Sequence, residues 1–168
     1  MAEQQNYIFG LCDITYGENA LPVLGDKAVL TIEPEYIDIN SYEIGGLVDK
    51  LVKTWKVSLD VVFEQETAEV MGLCIPLDTN EDSALGKSLR ATGKELKIHP
   101  RSAGESEEFD VTIFKAVSTG SYERIYGLEQ GYVKVTFNAL VKDGAKPGVK
   151  GNFFRIGAAS SLPASLAE

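Results

Sequence analysis

The chain has 168 residues, 44% of them hydrophobic and 24% charged. That is ordinary globular composition, and it excludes disorder or collagen-like structure for the chain as a whole. The net charge of −9 excludes wrapping a nucleic acid or coating an anionic membrane, both of which need clustered Lys and Arg. Passage of a polyanion along a repulsive wall stays open.

The opening Met1-Ala2-Glu3-Gln4-Gln5-Asn6 has no basic stretch followed by an apolar one, so a chain made in a cytoplasm and soluble there is expected. Residues 7–15 read as a short strand. Ala28, Leu30 and Ile32 alternate with Lys27, Thr31 and Glu33, a second strand. Residues 37–51 follow as a long connection. It holds Gly45-Gly46 and the apolar residues Ile39, Tyr42, Ile44, Leu47 and Val48. Connections of this length are uncommon in compact domains and are often functional. Trp55, Val57, Leu59, Val61 and Phe63 then occupy one parity against Thr54, Lys56, Ser58, Asp60 and Glu64, the strongest strand signal in the chain.

Residues 67–73 predict a short helical turn. Residues 83–96 predict the main helix, with Leu85, Leu89 and Leu96 on one face and Asp82 as N-cap, although Gly86 and Gly93 weaken it. Phe109, Val111 and Ile113 predict a strand. So do Val133, Val135, Phe137, Ala139 and Val141, alternating with Tyr132, Lys134, Thr136 and Asn138. Residues 143–148 read as a surface turn and residues 152–156 as a last strand. One domain over residues 1–157 is expected, followed by a loose, small-residue tail over 158–168.

Catalytic chemistry finds little support. The chain has one histidine, His99, which reads as a surface or half-buried turn residue without visible base–orienter partners. Gly86-Lys87-Ser88 resembles the end of a phosphate loop, but Glu81 stands where the first glycine belongs. Asp78 to Asp82 resemble half a calcium loop, but Ser83 and Leu89 stand where glycine and a bidentate glutamate belong. Glu107-Glu108 and Glu64 with Glu66 are indistinguishable from solvated charges. Trp55 could line a pocket, although such a stripe is more often core. Cys12 and Cys74 allow one bridge without predicting it. No metal, cofactor or enzyme activity is expected. A mostly β chain with an apolar-tipped connection and an acidic balance suits assembly, since exposed strand edges and apolar tips serve a subunit better than a monomer.

The run Leu24-Gly25-Asp26-Lys27-Ala28-Val29-Leu30-Thr31-Ile32-Glu33-Pro34 leads into the long connection. The strand from Trp55 to Glu64 follows it. Tyr132 to Leu140, a Gly-rich turn and Phe154-Arg155-Ile156-Gly157 end the pattern. Together these resemble the major tail tube proteins of tailed bacteriophages and phage-derived particles. The resemblance implies a mainly β fold: an antiparallel sandwich or half-barrel with one flanking α-helix, whose inner sheet joins its neighbours into a ring barrel. It implies hexameric rings stacked into a hollow virion tail tube that conducts DNA, which transits without specific binding. Tape-measure, terminator and baseplate-hub proteins are the implied partners, with no membrane binding by the subunit. A terminator, completion or hub ring resembles the same fold. A monomeric carbohydrate-binding sandwich is the reading from another class, with Tyr36, Tyr42, Tyr122 and Tyr126 as its only candidate platform.

On the tube reading, the inter-ring or inter-subunit residues are Ile37, Asp38, Ile39, Tyr42, Glu43, Ile44, Leu47, Val48 and Asp49. The lumen-facing candidates are Lys27, Thr31, Glu33, Glu35, Lys56, Ser58, Asp60, Glu64, Asp110, Thr112, Lys134, Thr136 and Asn138. Three lysines against five carboxylates give that lining a net −2 per subunit.

Overall fold

Period-two alternation decides the architecture, because it gives each strand one face to bury. The computed structural model describes residues 10–22, 24–64, 67–74, 86, 88–119, 128, 132–147 and 151–158. Among them the strands are β1 (Cys12–Tyr16), β2 (Asn19–Ala20), β3 (Leu24–Ser41), β4 (Gly46–Phe63), β5 (Lys94–Pro100), β6 (Val111–Ser118), β7 (Val133–Ala139) and β8 (Phe154–Ile156). They form one antiparallel sheet in the order β2-β1-β5-β6-β7-β4-β3, with β8 paired to β6 beside β7. The fold is mainly β, as expected.

The core lies on one face of this sheet. Val57, Leu59, Val61 and Phe63 of β4 meet Val133, Val135 and Phe137 of β7, with Leu96 and Ile98 of β5 and Ile14 and Tyr16 of β1. In a flat sheet β1 and β7, separated by β5 and β6, would lie about 14 Å apart. Instead the rings of Tyr16 and Phe137 are 5.1 Å apart, so the sheet curls over its own apolar face as a half-barrel. The Tyr16 hydroxyl donates to the Ala116 carbonyl at 3.0 Å, which satisfies the one polar atom this residue brings inside. Tyr16→Phe should therefore cost about 1 kcal/mol in urea unfolding, the net value of such a bond. An unchanged midpoint would show that the bond adds nothing.

Among the described residues one α-helix, α1 (Ala68–Cys74), flanks the sheet. The Thr67 hydroxyl accepts from the Val70 amide and caps it, and Val70 is fully buried in the core. This agrees with the helical turn expected at 67–73. The larger helix expected over 83–96 does not form as such. Gly86 has φ +75°, outside helical geometry. Ser88 opens a short 3-10 turn at Leu89–Thr92, and Gly93 is extended at φ −64°, ψ 135°. Leu96 then enters β5 opposite Ile113, so strand alternation with Ile98 outweighs the helical spacing with Leu89. Asp82 and residues 78–81, 83 and 85 lie outside the described residues.

Residues 37–51 are not a loop. β3 and β4 each run 18 residues, about 60 Å of strand at about 3.3 Å per residue, and they pair from Ala28–Val61 to Ser41–Gly46. Only the four residues Tyr42 to Gly45 turn, with Gly45 at φ +72° and its amide bonded to the Ser41 carbonyl at 2.9 Å. The apolar residues in this stretch mimic a loop in sequence because their own subunit offers them no core, so no one-sided alternation marks them. At the other strand ends, Val141 and Phe109 fall just outside β7 and β6. Cys12 carries a free thiol, its pKa pushed up by burial and then by neighbouring Asp13.

Candidate functional site

β7 covers β4 only from Ser58 to Phe63. Beyond that point β3 and β4 leave the sheet as a two-stranded ribbon. Two irregularities divide it, at Glu35/Tyr36 and Ile39/Asn40. Each places an extra β4 residue opposite the pairing, which bends and twists a ribbon locally.

The register sorts the ribbon's faces. Ile37 pairs with Leu51 and Ile39 with Asp49, so Ile37, Leu51 and Ile39 share a face. Tyr36 pairs with Val52 and Asp38 with Lys50 on the other. There Lys50 Nζ lies 3.1 Å from the Asp38 carboxylate and 5.9 Å from the centre of the Tyr36 ring. The tip carries Tyr42, Ile44 and Leu47. Ile44 is 79% exposed, and Ile37, Leu47, Val48, Leu51 and Val52 are each about half exposed. Isolated surface apolar residues are ordinary, but a contiguous group of this kind marks an interaction surface. The expected stacking residues Ile37, Asp38, Ile39, Tyr42, Glu43, Ile44, Leu47, Val48 and Asp49 thus all fall on one projecting hairpin. Val52 and Leu51 belong to it as well. Their pairing with Tyr36 and Ile37 was hidden because the bulge at Lys53 breaks simple alternation.

The second feature is the polar face of β3, β4 and β7. Thr31 pairs with Ser58 and Ser58 with Asn138; Asp60 pairs with Thr136; Glu33 pairs with Lys56. These residues, with Glu35 and Lys134 at alternate positions, share the face opposite the core. The Thr136 hydroxyl donates to Asp60 at 2.5 Å. Lys56 and Glu35 form an exposed ion pair that lowers the Glu35 pKa and raises that of Lys56. Lys27 and Glu64 stand exposed at the start of β3 and just past β4. Asp110 and Thr112 do not belong here. They are only 3% and 4% exposed within the subunit itself: Asp110 contacts His99 and Lys97, and Thr112 pairs with Lys97 and Arg155. Removing Asp110 leaves three lysines against four carboxylates on this surface, a net −1 rather than −2.

Other candidate sites are dispersed. Glu107 sits near Lys97 at 3.5 Å as an ordinary ion pair, and Glu66 lies outside the described residues. Trp55 is 38% exposed, its ring edge-on to Phe154 at 5.6 Å. Tyr36 and Tyr42 are both exposed, but one sits mid-ribbon and one at the tip, about 20 Å of strand apart, too far for one sugar-stacking platform. Tyr122 and Tyr126 lie outside the described residues. A cavity of about 380 Å³ lies beside α1, lined by Tyr16, Leu21, Glu69, Leu73, Lys94 and Ser118 among others. Among the described residues no group of His, Cys, Asp and Glu could hold a metal ion, and no helix is long and apolar enough to cross a membrane.

No family model and no curated protein matches the chain. Solved structures do. A chain of the cryo-EM structure of an extracellular contractile injection system, the PVC sheath/tube terminator in the extended state, is 12% identical, with a TM-score of 0.55 over 80% of this chain and 94% of that one. A chain of the PVC sheath-tube complex in the extended state is 11% identical, with a TM-score of 0.55 over 82% of this chain and 88% of that one. At such identity the likeness is one of fold: the curled sheet described above is the fold of chains in those two assemblies.

Proposed function

We propose that the chain is a structural subunit of a tail-like tube. Six copies form a ring, rings stack through the β3–β4 hairpin, and DNA passes through the lumen. The observation that carries this reading is the hairpin: an apolar ribbon held away from the core of its own subunit. The fold shared with chains of sheath–tube and terminator assemblies supports it. The polar face of β3, β4 and β7 then lines the channel. Its weak negative charge repels phosphate without a binding site, as a conduit requires. Tape-measure, terminator and hub proteins are the expected partners, and the assembled virion tail is the expected location. No catalytic role is assigned.

Negative-stain electron microscopy over a concentration series, with light scattering, tests the reading. Stacked hollow tubes support it. A persistent monomer, even when the tail's initiating complex is supplied, overturns it. The equal likeness to a terminator chain supports a second reading, a ring that caps a tube; rings that never stack would select it.

The lining makes its own prediction. Reversing Asp60 and Glu64 to Lys adds four positive charge units per subunit. Tubes should still assemble, while DNA ejection slows with a strong dependence on salt, because phosphate contacts release counterions. Ejection at the normal rate in low salt would remove the lumen assignment.

A further inference from the structure

His99, the single histidine of the chain, makes two ring contacts. Its Nδ1 lies 2.5 Å from Asp110 Oδ1 and its Nε2 lies 2.9 Å from the Gly104 carbonyl oxygen. Both partners are acceptors. A neutral imidazole carries one N–H and one lone pair, so it can serve only one of them and must turn its lone pair toward the other. Only the imidazolium donates to both.

The two contacts bridge separate pieces of chain. His99 stands near the end of β5. Gly104 ends the 3-10 turn Arg101–Ala103, with φ +63°. Asp110 immediately precedes β6, and its own carbonyl accepts from the Gly157 amide past β8 at 2.8 Å. We infer that His99 is a proton-operated latch that holds the connection between β5 and β6 against the sheet, closed when the ring is charged and open when it is neutral.

The charged surroundings favour the closed state. The other Asp110 oxygen lies 3.2 Å from Lys97 Nζ on β5, and Glu107 of the connection faces the same lysine. On β1, Asp13 stands opposite His99 in register and is held by Arg101. The pKa of His99 is raised: the hydrogen bond to Asp110 is the largest effect, burial opposes it, and the Gly104 carbonyl and the charges of Asp110 and Asp13 add to the rise. A histidine whose folded pKa exceeds its unfolded value stabilises the closed state fully below about 6.5 and loses that contribution as pH rises through the folded value. The connection, which carries Glu105, Glu107 and Glu108, is therefore fixed under acidic conditions and released under alkaline ones.

The full chain with isotope-labelled histidine, free or assembled, tests this by ring-nitrogen NMR from about pH 5 to about pH 9. The expected midpoint lies above that of a free histidine, with both ring nitrogens protonated below it. Amide exchange at Gly104, Glu105 and Ser106, corrected for intrinsic base catalysis, should rise through the same midpoint. The full rise is about tenfold for each pH unit separating that midpoint from the free value. Asp110→Asn should bring the midpoint down toward the free value. If that variant does not fold, the titration and exchange of the natural chain still decide. A midpoint at or below that of free histidine, or exchange that ignores the titration, overturns the latch.

Discussion

Chains in which residues 38–49 are replaced by a short Gly-Ser turn should remain folded and lose the ability to stack. The cut falls where Ile37 pairs with Leu51, so the ends to be joined are already neighbours. Core burial on β4 begins at Val57, well away from the excision, so thermal unfolding and circular dichroism of the monomer should change little. Assembly should change completely. Burying about 300 Å² of apolar surface per subunit is worth roughly 7 kcal/mol before costs, at about 25 cal/mol per Å². The proposed six-subunit ring would dock as one body, so its lost translational and rotational freedom, about 4–15 kcal/mol, is counted once against six such contacts. The hairpin term therefore dominates the balance, and sedimentation of the variant should show single rings or monomers. Long tubes from the shortened chain would mean that stacking resides elsewhere.

Phe137→Ala should do the reverse and damage the subunit itself. Phe137 is fully buried, pairs with Leu59 of β4 and meets the Tyr16 ring across the curled sheet. Removing a buried phenylalanine costs about 3–5 kcal/mol, against a total stability of about 5–15 kcal/mol for a domain of ordinary size. Urea unfolding should show that loss, and most of the chain should be unfolded or aggregated if the natural margin is small. Ile39→Ala is the control. Ile39 is 40% exposed on the ribbon, so the monomer should barely register it while stacking weakens. A loss below about 1 kcal/mol at Phe137 would contradict the closure of β1 over β7.

The contrast between these residues also explains what was legible in the sequence. Val57 to Phe63 and Val133 to Phe137 could be read because each buries every second side chain against the same core, and burial of that kind writes period two directly into the chain. Residues 37–51 read as a long connection in the sequence, with Ile39 and Leu47 among its apolar residues and nothing to mark Leu51. The pairing there depends on a bulge, and the subunit offers these side chains no core of its own, so no one-sided pattern marks them in the chain. Leu89 and Leu96 failed differently. Their spacing fits a helix face, but the left-handed conformation of Gly86 and the extended one of Gly93 prevent that helix. The lumen candidates on β3, β4 and β7 were legible as a shared parity, and the structure places them on a shared face. Asp110 and Thr112 carried the same parity at and just before β6, but both are buried within the subunit, which parity alone does not report. The double contact of His99 could not be read, since Gly104 and Asp110 reach it only through the folded turn.

The bulge at Glu35/Tyr36 has a mechanical meaning. The ribbon beyond it is paired β-structure, broken once more at Ile39/Asn40, so a bend at this inner joint carries the whole outer ribbon with it. With about 25 Å between joint and tip, a rotation of about 20° at the joint carries the tip about 9 Å. In the proposed tube, curvature would then be taken up along a row of such arms while every subunit core keeps its shape.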